Sequence, residues 1–191
     1  RLVAVWAVMA LSALVVDRTL AQTYPTKPIR LITPSTAGSP VDIRARWLAE
    51  KLSPVLGQPI VVDNRAGAGG SIGTVAAAKS AADGYTLLLV HQGSIAINPH
   101  LYASAGYDPI NDFAPVTRLV VSPMLLAVHS GFPAKSVVDL IRLARERPGQ
   151  LTFGSSGTGT PPHMAGGLFT DMAEIEVGDV PFKGGAGGRL G

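Results

Sequence analysis

The chain has 191 residues, 47% apolar and 15% charged, a balance that supports a packed core and excludes disordered and fibrous classes. Its 16 Lys and Arg and 13 Asp and Glu leave a formal charge of +3, spread along the chain rather than gathered into a phosphate-tracking surface, so no nucleic acid partner is expected. With no cysteine there is no disulfide, thiolate metal site, iron–sulfur cluster or thiol nucleophile.

Arg1 precedes an apolar run, residues 2–16, broken only by Ser12. A membrane span needs about 18–20 apolar residues and a signal-peptide core about 7–15, so the length favours an export leader. Asp17 and Arg18 restore polarity, and Thr19 and Ala21 put small residues where a signal peptidase reads. Residues 1–21 are expected to be a cleaved signal peptide, with a periplasmic destination. A buried N-terminal helix is the alternative, but the run has no polar face at a 3.6-residue period. Arg rather than Met at position 1 predicts a natural start further upstream.

From Tyr24 onward, short β-branched runs alternate with helical patterns, the habit of a mostly parallel α/β sheet. Strands are predicted at 29–33, 60–63 and 86–90, the last rich enough in Leu and Val to be buried on both faces. Between them, a helix carries Ile43, Trp47, Leu48, Leu52 and Leu56 on one face and stops at Gly57, and a small-residue helix covers 72–79. Turn signals at Asn98-Pro99, Asp108-Pro109 and Asn111-Asp112 put a lobe crossover near 112–122. Beyond it, strands are predicted at 124–128, 151–155 and 176–180, with helices at 136–147 and 161–171. The expected domains are lobe 1 at 22–118 and lobe 2 at 119–191.

Residues 34–42 join the first strand to its helix with a complete helix-start signal. Ser39 is the expected N-cap, Pro40 falls at the first helical position, and the Asp42 carboxylate reaches back to the cap. The preceding residues are small, leaving backbone N–H groups at the positive helix end open to an anion. Ser136 and Asp139 form the same capping box with no small-residue prelude, and that one reads as purely structural. Gly154-Ser155-Ser156-Gly157-Thr158-Gly159-Thr160 leads into Pro161 and Pro162, with Thr160 as the expected N-cap. Two such loops at the carboxyl edges of two sheets would hold an anion from both sides. Charge-assisted hydrogen bonds contribute about 1.5–3 kcal/mol each, so four or five donors reach micromolar affinity without a cleft arginine. Arg65 and Lys183 are the cleft-cation candidates, and surface placement is the more common fate of such residues.

Other chemistry finds little support. Residues 64–73 resemble a phosphate loop, but Ile72 stands where a dinucleotide fingerprint needs Gly and no Gly-Lys-Ser/Thr completes a Walker loop. A turn that lets the following helix pack closely on the sheet is preferred. Thr158 stands where a hydrolase elbow requires Gly, and no Ser-x-x-Lys occurs. His91, His100, His129 and His163 have no metal-ligand spacing, so no metal, no cofactor and no enzymatic activity are expected.

The stretches 38–42, 64–73, 83–87 (Asp-Gly-Tyr-Thr-Leu), 96–99 (Ala-Ile-Asn-Pro) and 180–184 (Val-Pro-Phe-Lys-Gly) resemble the Bug family of periplasmic receptors linked to tripartite tricarboxylate transporters. The resemblance runs from about Tyr24 to Gly185. It implies a two-lobed periplasmic binding protein fold of type II character, and a carboxylate ligand held by amides, hydroxyls and water. It also implies the membrane subunits of such a transporter as partners. Carried over by position, the ligand-binding residues are Thr36, Ala37, Gly38, Ser39 and Asp42 in the first loop, then Ser94. The second loop contributes Ser155, Ser156, Gly157, Thr158 and Thr160, with His163 either lining the ligand or standing as an ordinary half-exposed histidine. The chain departs from the family in having Ser39 for a second glycine, Val41 for a hydroxyl residue and Gly167 for a glutamate. Family members continue further, so the second crossover and the end of the first lobe are expected to be missing, and residues 22–191 alone to fold only partly. The expected function is extracytoplasmic capture of a small organic acid or amino acid for uptake. The alternatives are a ligand-sensing regulatory module of the same fold, whose helix-turn-helix position the leader occupies here, or a non-functional receptor fragment.

Overall fold

The computed structural model describes residues 24–182; the predicted signal peptide and the candidate cation Lys183 lie outside the described residues. Chain order begins with strand β1 (Ile29–Thr33), helix α1 (Pro40–Leu56) and strand β2 (Ile60–Asn64). A short turn at Ala68–Gly70 leads into helix α2 (Ser71–Ala78), followed by strand β3 (Thr86–Leu88). These strands form one parallel sheet in the order β2-β1-β3, with Ile29 opposite Ile60 and Leu31 opposite both Val62 and Leu87. The alternation of β1 assigns its two faces. Ile29 and Leu31 pack with Ala45, Ala49 and Ile60 into a core flanked by Leu48, Leu52, Leu56 and Leu87, while Ile32 is fully buried on the opposite face. Each such Ile or Leu contributes about 1.5–3 kcal/mol on burial.

Two expectations for this unit change. Ile43 and Trp47, predicted to share the buried face of α1, are 58% and 60% exposed. Ala45 and Ala49 centre the contact instead, because their small side chains let the helix lie close to the sheet; a residue two positions away sits about 200° round the helix. The third strand is shorter than predicted and half-buried rather than covered on both faces, because it is an edge strand. Beyond its ends the ladder gains one bond on each side: the Tyr85 carbonyl accepts from the Arg30 N–H at 2.8 Å and the Leu89 N–H donates to the Ile32 carbonyl at 2.9 Å.

After a tight helical turn at Gly93–Ile97 and helix α3 (Asn98–Leu101), the chain runs without strand or helix to helix α4 (Val137–Glu146). The strand predicted at 124–128 does not form among the described residues, and Leu125 is 86% exposed. An apolar run becomes a strand only by pairing, and no ladder partner lies beside it among the described residues. Arg44 of α1 ties this passage down by donating to Ser122 Oγ at 2.8 Å. Strand β4 (Leu151–Ser155), helix α5 (Pro161–Ala173) and strand β5 (Val177–Pro181) form a parallel β-α-β unit, with Leu151 opposite Val177 and Ser155 opposite Pro181. No helix among the described residues is long and apolar enough to cross a membrane.

Candidate functional site

At the carboxyl end of β1, the first loop is organised around Asp42, which is only 2% exposed. Ser39 caps α1 as predicted, its hydroxyl accepting from the Asp42 N–H at 3.3 Å and donating to Ser35 Oγ at 3.0 Å. The reach-back bond goes elsewhere than expected: Asp42 Oδ2 accepts from the Gly38 N–H at 2.8 Å, while the Ser39 N–H donates to Thr36 O. The same oxygen accepts from Arg46 Nε at 3.0 Å, and Oδ1 accepts from Asn64 Nδ2 at 2.9 Å. Burial works to raise the Asp42 carboxyl, and the bonds from Arg46, Gly38 and Asn64 together with the Arg46 charge outweigh it, holding the group below the usual carboxylate range. Gly38 therefore spends its amide on Asp42 rather than offering it to a ligand. Thr36 and Ala37 form the outward part of the loop, and Thr36 Oγ1 is buried with no hydrogen-bond partner.

The second loop follows β4. Ser155 is buried, its hydroxyl donating to Asp179 Oδ2 at 3.2 Å and accepting from the Gly157 N–H at 3.3 Å. Thr160 occupies the N-cap position of α5, but its hydroxyl turns back to the Gly157 carbonyl at 2.5 Å and caps nothing. Pro161 and Pro162 carry no N–H, so the His163 amide is the one first-turn donor at that helix end without a partner among the described residues. Ser156 is half-buried and Thr158 exposed, and neither hydroxyl has a partner among the described residues. His163 lies beside them, its Nε2 3.8 Å from Asp179 Oδ2 and its Nδ1 accepting a long 3.5 Å bond from the Gly159 N–H.

The second loop rests on the first unit rather than standing across an open cleft from it. Tyr102 OH donates to the Thr158 carbonyl at 3.5 Å, and Gly159 sits against Asn98 and Leu101. Ser94 is fully buried beneath this junction, its hydroxyl donating to the Gly69 carbonyl at 3.2 Å, so it supports the site from behind. Gly73 gives α2 the predicted close approach: a Cβ there would stand 2.7 Å from both the Arg65 carbonyl and Pro34 Cα. Arg65 is engaged at the surface, with Nε 3.0 Å from Asp63 Oδ2. Two surface concavities, about 360 and 400 Å³, are lined by residues of α4 and by 126–136, and neither touches the two loops.

Neither serine beside a histidine is arranged to react. Ser94 Oγ lies 3.5 Å from His91 Nε2, but it is fully buried, and burial pushes the His91 imidazole below its ordinary value. Ser155 donates directly to the carboxylate of Asp179, and no histidine nitrogen stands between them as the relay of a nucleophile–histidine–acid triad. No group of three His, Asp or Glu among the described residues is placed to hold a metal.

Sequence reasoning missed the residues that organise these loops. Asn64, Asn98 and Asp179 were visible only as members of a loop motif, a turn signal and a strand. The one available signal was Asn98-Pro99 following an apolar run, where a buried amide needs partners. Asn98 is fully buried, and its Nδ2 donates to the Gly69 carbonyl and Ser71 Oγ, both at 3.0 Å.

Residues 44–190 match the model of the tripartite tricarboxylate transporter family receptor. BugT of Bordetella pertussis is 39% identical over 185 residues, 96% of this chain and 57% of that protein. Among solved structures, R. palustris Rpa4515 with adipate matches at a TM-score of 0.82 and 42% identity, covering 85% of this chain and 55% of that one. MatC from Rhodopseudomonas palustris with bound malate matches at 0.80 and 29% identity, covering 87% of this chain and 56% of that one. The chain spans about half the length of the curated relatives it matches. The expected α/β binding-protein fold is the one these structures share with it over that span. By the family model and by its identity to BugT, the chain belongs to the tripartite tricarboxylate transporter receptor family.

Proposed function

We propose that this chain captures a small carboxylate-bearing solute between its two strand-to-helix loops for delivery to a membrane transporter, and that it does so without chemistry. The reading rests on one observation: the loop after β4 packs against the unit that carries the loop after β1, at Tyr102, Asn98 and Gly69, and both loops carry hydroxyls and amides rather than a reactive pair. Thr36, Ala37, Gly38, Ser39 and Asp42 form one wall, with Gly38 and Asp42 ordering it. Ser155, Ser156, Gly157, Thr158, Thr160 and His163 form the other, and Ser94 backs the junction. The lobes divide as 22–118 and 119–191, and residues 1–21 direct export to the periplasm. The solute is a small organic acid or an amino acid, and the protein partners are the membrane subunits of a tripartite tricarboxylate transporter. Adipate and malate, bound by Rpa4515 and MatC, make dicarboxylates the first class to test. A thermal-shift screen of the whole receptor against carboxylic and amino acids tests the reading. A ligand at a hundred times its dissociation constant stabilises by about 2.7 kcal/mol, whereas a flat response across the panel would overturn the assignment.

A further inference from the structure

Among the described residues three buried side-chain oxygens have no hydrogen-bond partner, Thr36 Oγ1, Asp179 Oδ1 and Asn98 Oδ1, and the last lies outside both loops. Asn98 is 0% exposed and spends its Nδ2 on the Gly69 carbonyl and Ser71 Oγ, while its Oδ1 is buried with no partner. That oxygen faces Gly159 of the second loop so closely that a Cβ on Gly159 would stand 2.2 Å from it and 3.2 Å from Leu101 Cδ2. The contact repeats nearby with the roles exchanged: a Cβ on Gly93 would stand 2.4 Å from the Gly159 carbonyl, and one on Gly69 would stand 2.4 Å from the Thr158 carbonyl. The backbone at Thr158 and Gly159 therefore lies directly on glycines Gly69 and Gly93 of the turns before α2 and α3, with the Asn98 and Leu101 side chains of α3 beside it. At Gly93 and Gly69 the spacing tolerates no added methyl.

We propose that Asn98, with Gly93 and Gly69, forms a seat that receives the loop at Gly159, and that occupation of this seat governs how tightly the site holds its acid. Asn98 is a positioning residue: it fixes the Gly69 carbonyl on one side and bears on Gly159 on the other, which sets the Thr158 carbonyl against Gly69. A solute that bridges the loops favours the seated arrangement, and an obstructed seat lowers affinity without removing any ligand contact. The inference rests on the receptor reading for its ligand but not for its geometry.

These 191 residues hold no cysteine, so cysteines introduced at the exposed positions Lys79 and Glu146, one beyond α2 and one ending α4, take unique spin labels in an intact receptor whose remaining segment is freed of cysteine. The unmodified seat gives one short distance population. Gly93→Ala, which adds a methyl where φ is not positive, lengthens that distance in the absence of ligand. Gly167→Ala, in α5 with no positive φ and no atom within 4 Å of the added methyl, controls for a Gly-to-Ala change in open space and leaves the distance unchanged. In calorimetry with adipate and malate, Gly93→Ala and Asn98→Ala weaken binding by about 5- to 150-fold, the usual range of a coupling between two equilibria. An unchanged distance in Gly93→Ala overturns the seat whether or not the acids bind. A lengthened distance with unchanged affinity removes its control over binding. Failure of the unmodified receptor to bind either acid counts against the ligand class and leaves the distance result to decide the seat.

Discussion

Replacing Asp42 by Asn tests how the first loop is built, because the change keeps shape and removes charge. The carboxylate takes hydrogen bonds from the Gly38 N–H, Arg46 Nε and Asn64 Nδ2 while 2% exposed. An amide keeps one acceptor oxygen. If that oxygen stays with Gly38 and Arg46, the new NH2 meets the Asn64 NH2, and two donors face each other in a dry site. Arg46 is 56% exposed and returns to water at little cost, so its share is small. Hydrogen bonds to a charged group contribute about 1.5–3 kcal/mol each, and a stranded buried donor costs about 1–3 kcal/mol. Asp42→Asn should therefore destabilise by about 2–4 kcal/mol, more than the roughly 1 kcal/mol of an ordinary helix cap that the sequence alone predicts. Urea denaturation at an unchanged m-value reads the loss, and calorimetric titration with dicarboxylates reads the accompanying fall in affinity. A stability change within about 0.5 kcal/mol together with intact binding would refute the reasoning.

Ser156→Ala and Thr158→Val remove hydroxyls that have no partner among the described residues, so each should lower acid affinity while shifting stability by no more than about 0.5 kcal/mol. Lost stability with intact binding would make that stretch a packing turn. The folded values of the Asp42 and Asp63 carboxyls lie below their ordinary ones, for Asp63 chiefly through the Arg30 hydrogen bond. A depressed carboxyl adds stability above its unfolded value near about 3.9 and loses it as pH falls through the lower folded value. The denaturation midpoint should therefore drop as pH falls below about 4, and Asp42→Asn should flatten that drop. Residues 1–24 fused to a reporter active only outside the cytoplasm should give signal, and silence would favour the sensing-module alternative.

The elements carried by local grammar were legible in the sequence. Ser39-Pro40 and Ser136 mark helix starts where α1 and α4 begin, and β1 and β4 have the predicted bounds, because caps and short β-branched runs act over a few residues. What failed depended on distant partners. The apolar run at 124–128 has strand composition without a strand beside it among the described residues, and composition cannot report whether a neighbour is present. Ile43 and Trp47 obey helical spacing, but alanines choose the face that meets the sheet. Within the candidate site, the Ser39 cap was readable from spacing. The amides that organise the loops were not, since Asn64 meets Asp42 across 22 residues and Asn98 meets Gly69 across 29.

Recognition of a carboxylate by neutral donors is the central claim, and titration of the intact receptor with adipate or malate beside the matched neutral diamide tests it most directly. Charge-assisted bonds from amides and hydroxyls reward the anion and not its isostere. The account predicts saturable binding of at least one diacid, with one site per chain, and no detectable heat from the diamide. Equal affinity for the two, or no binding of any acid by a receptor that melts cooperatively, would contradict it.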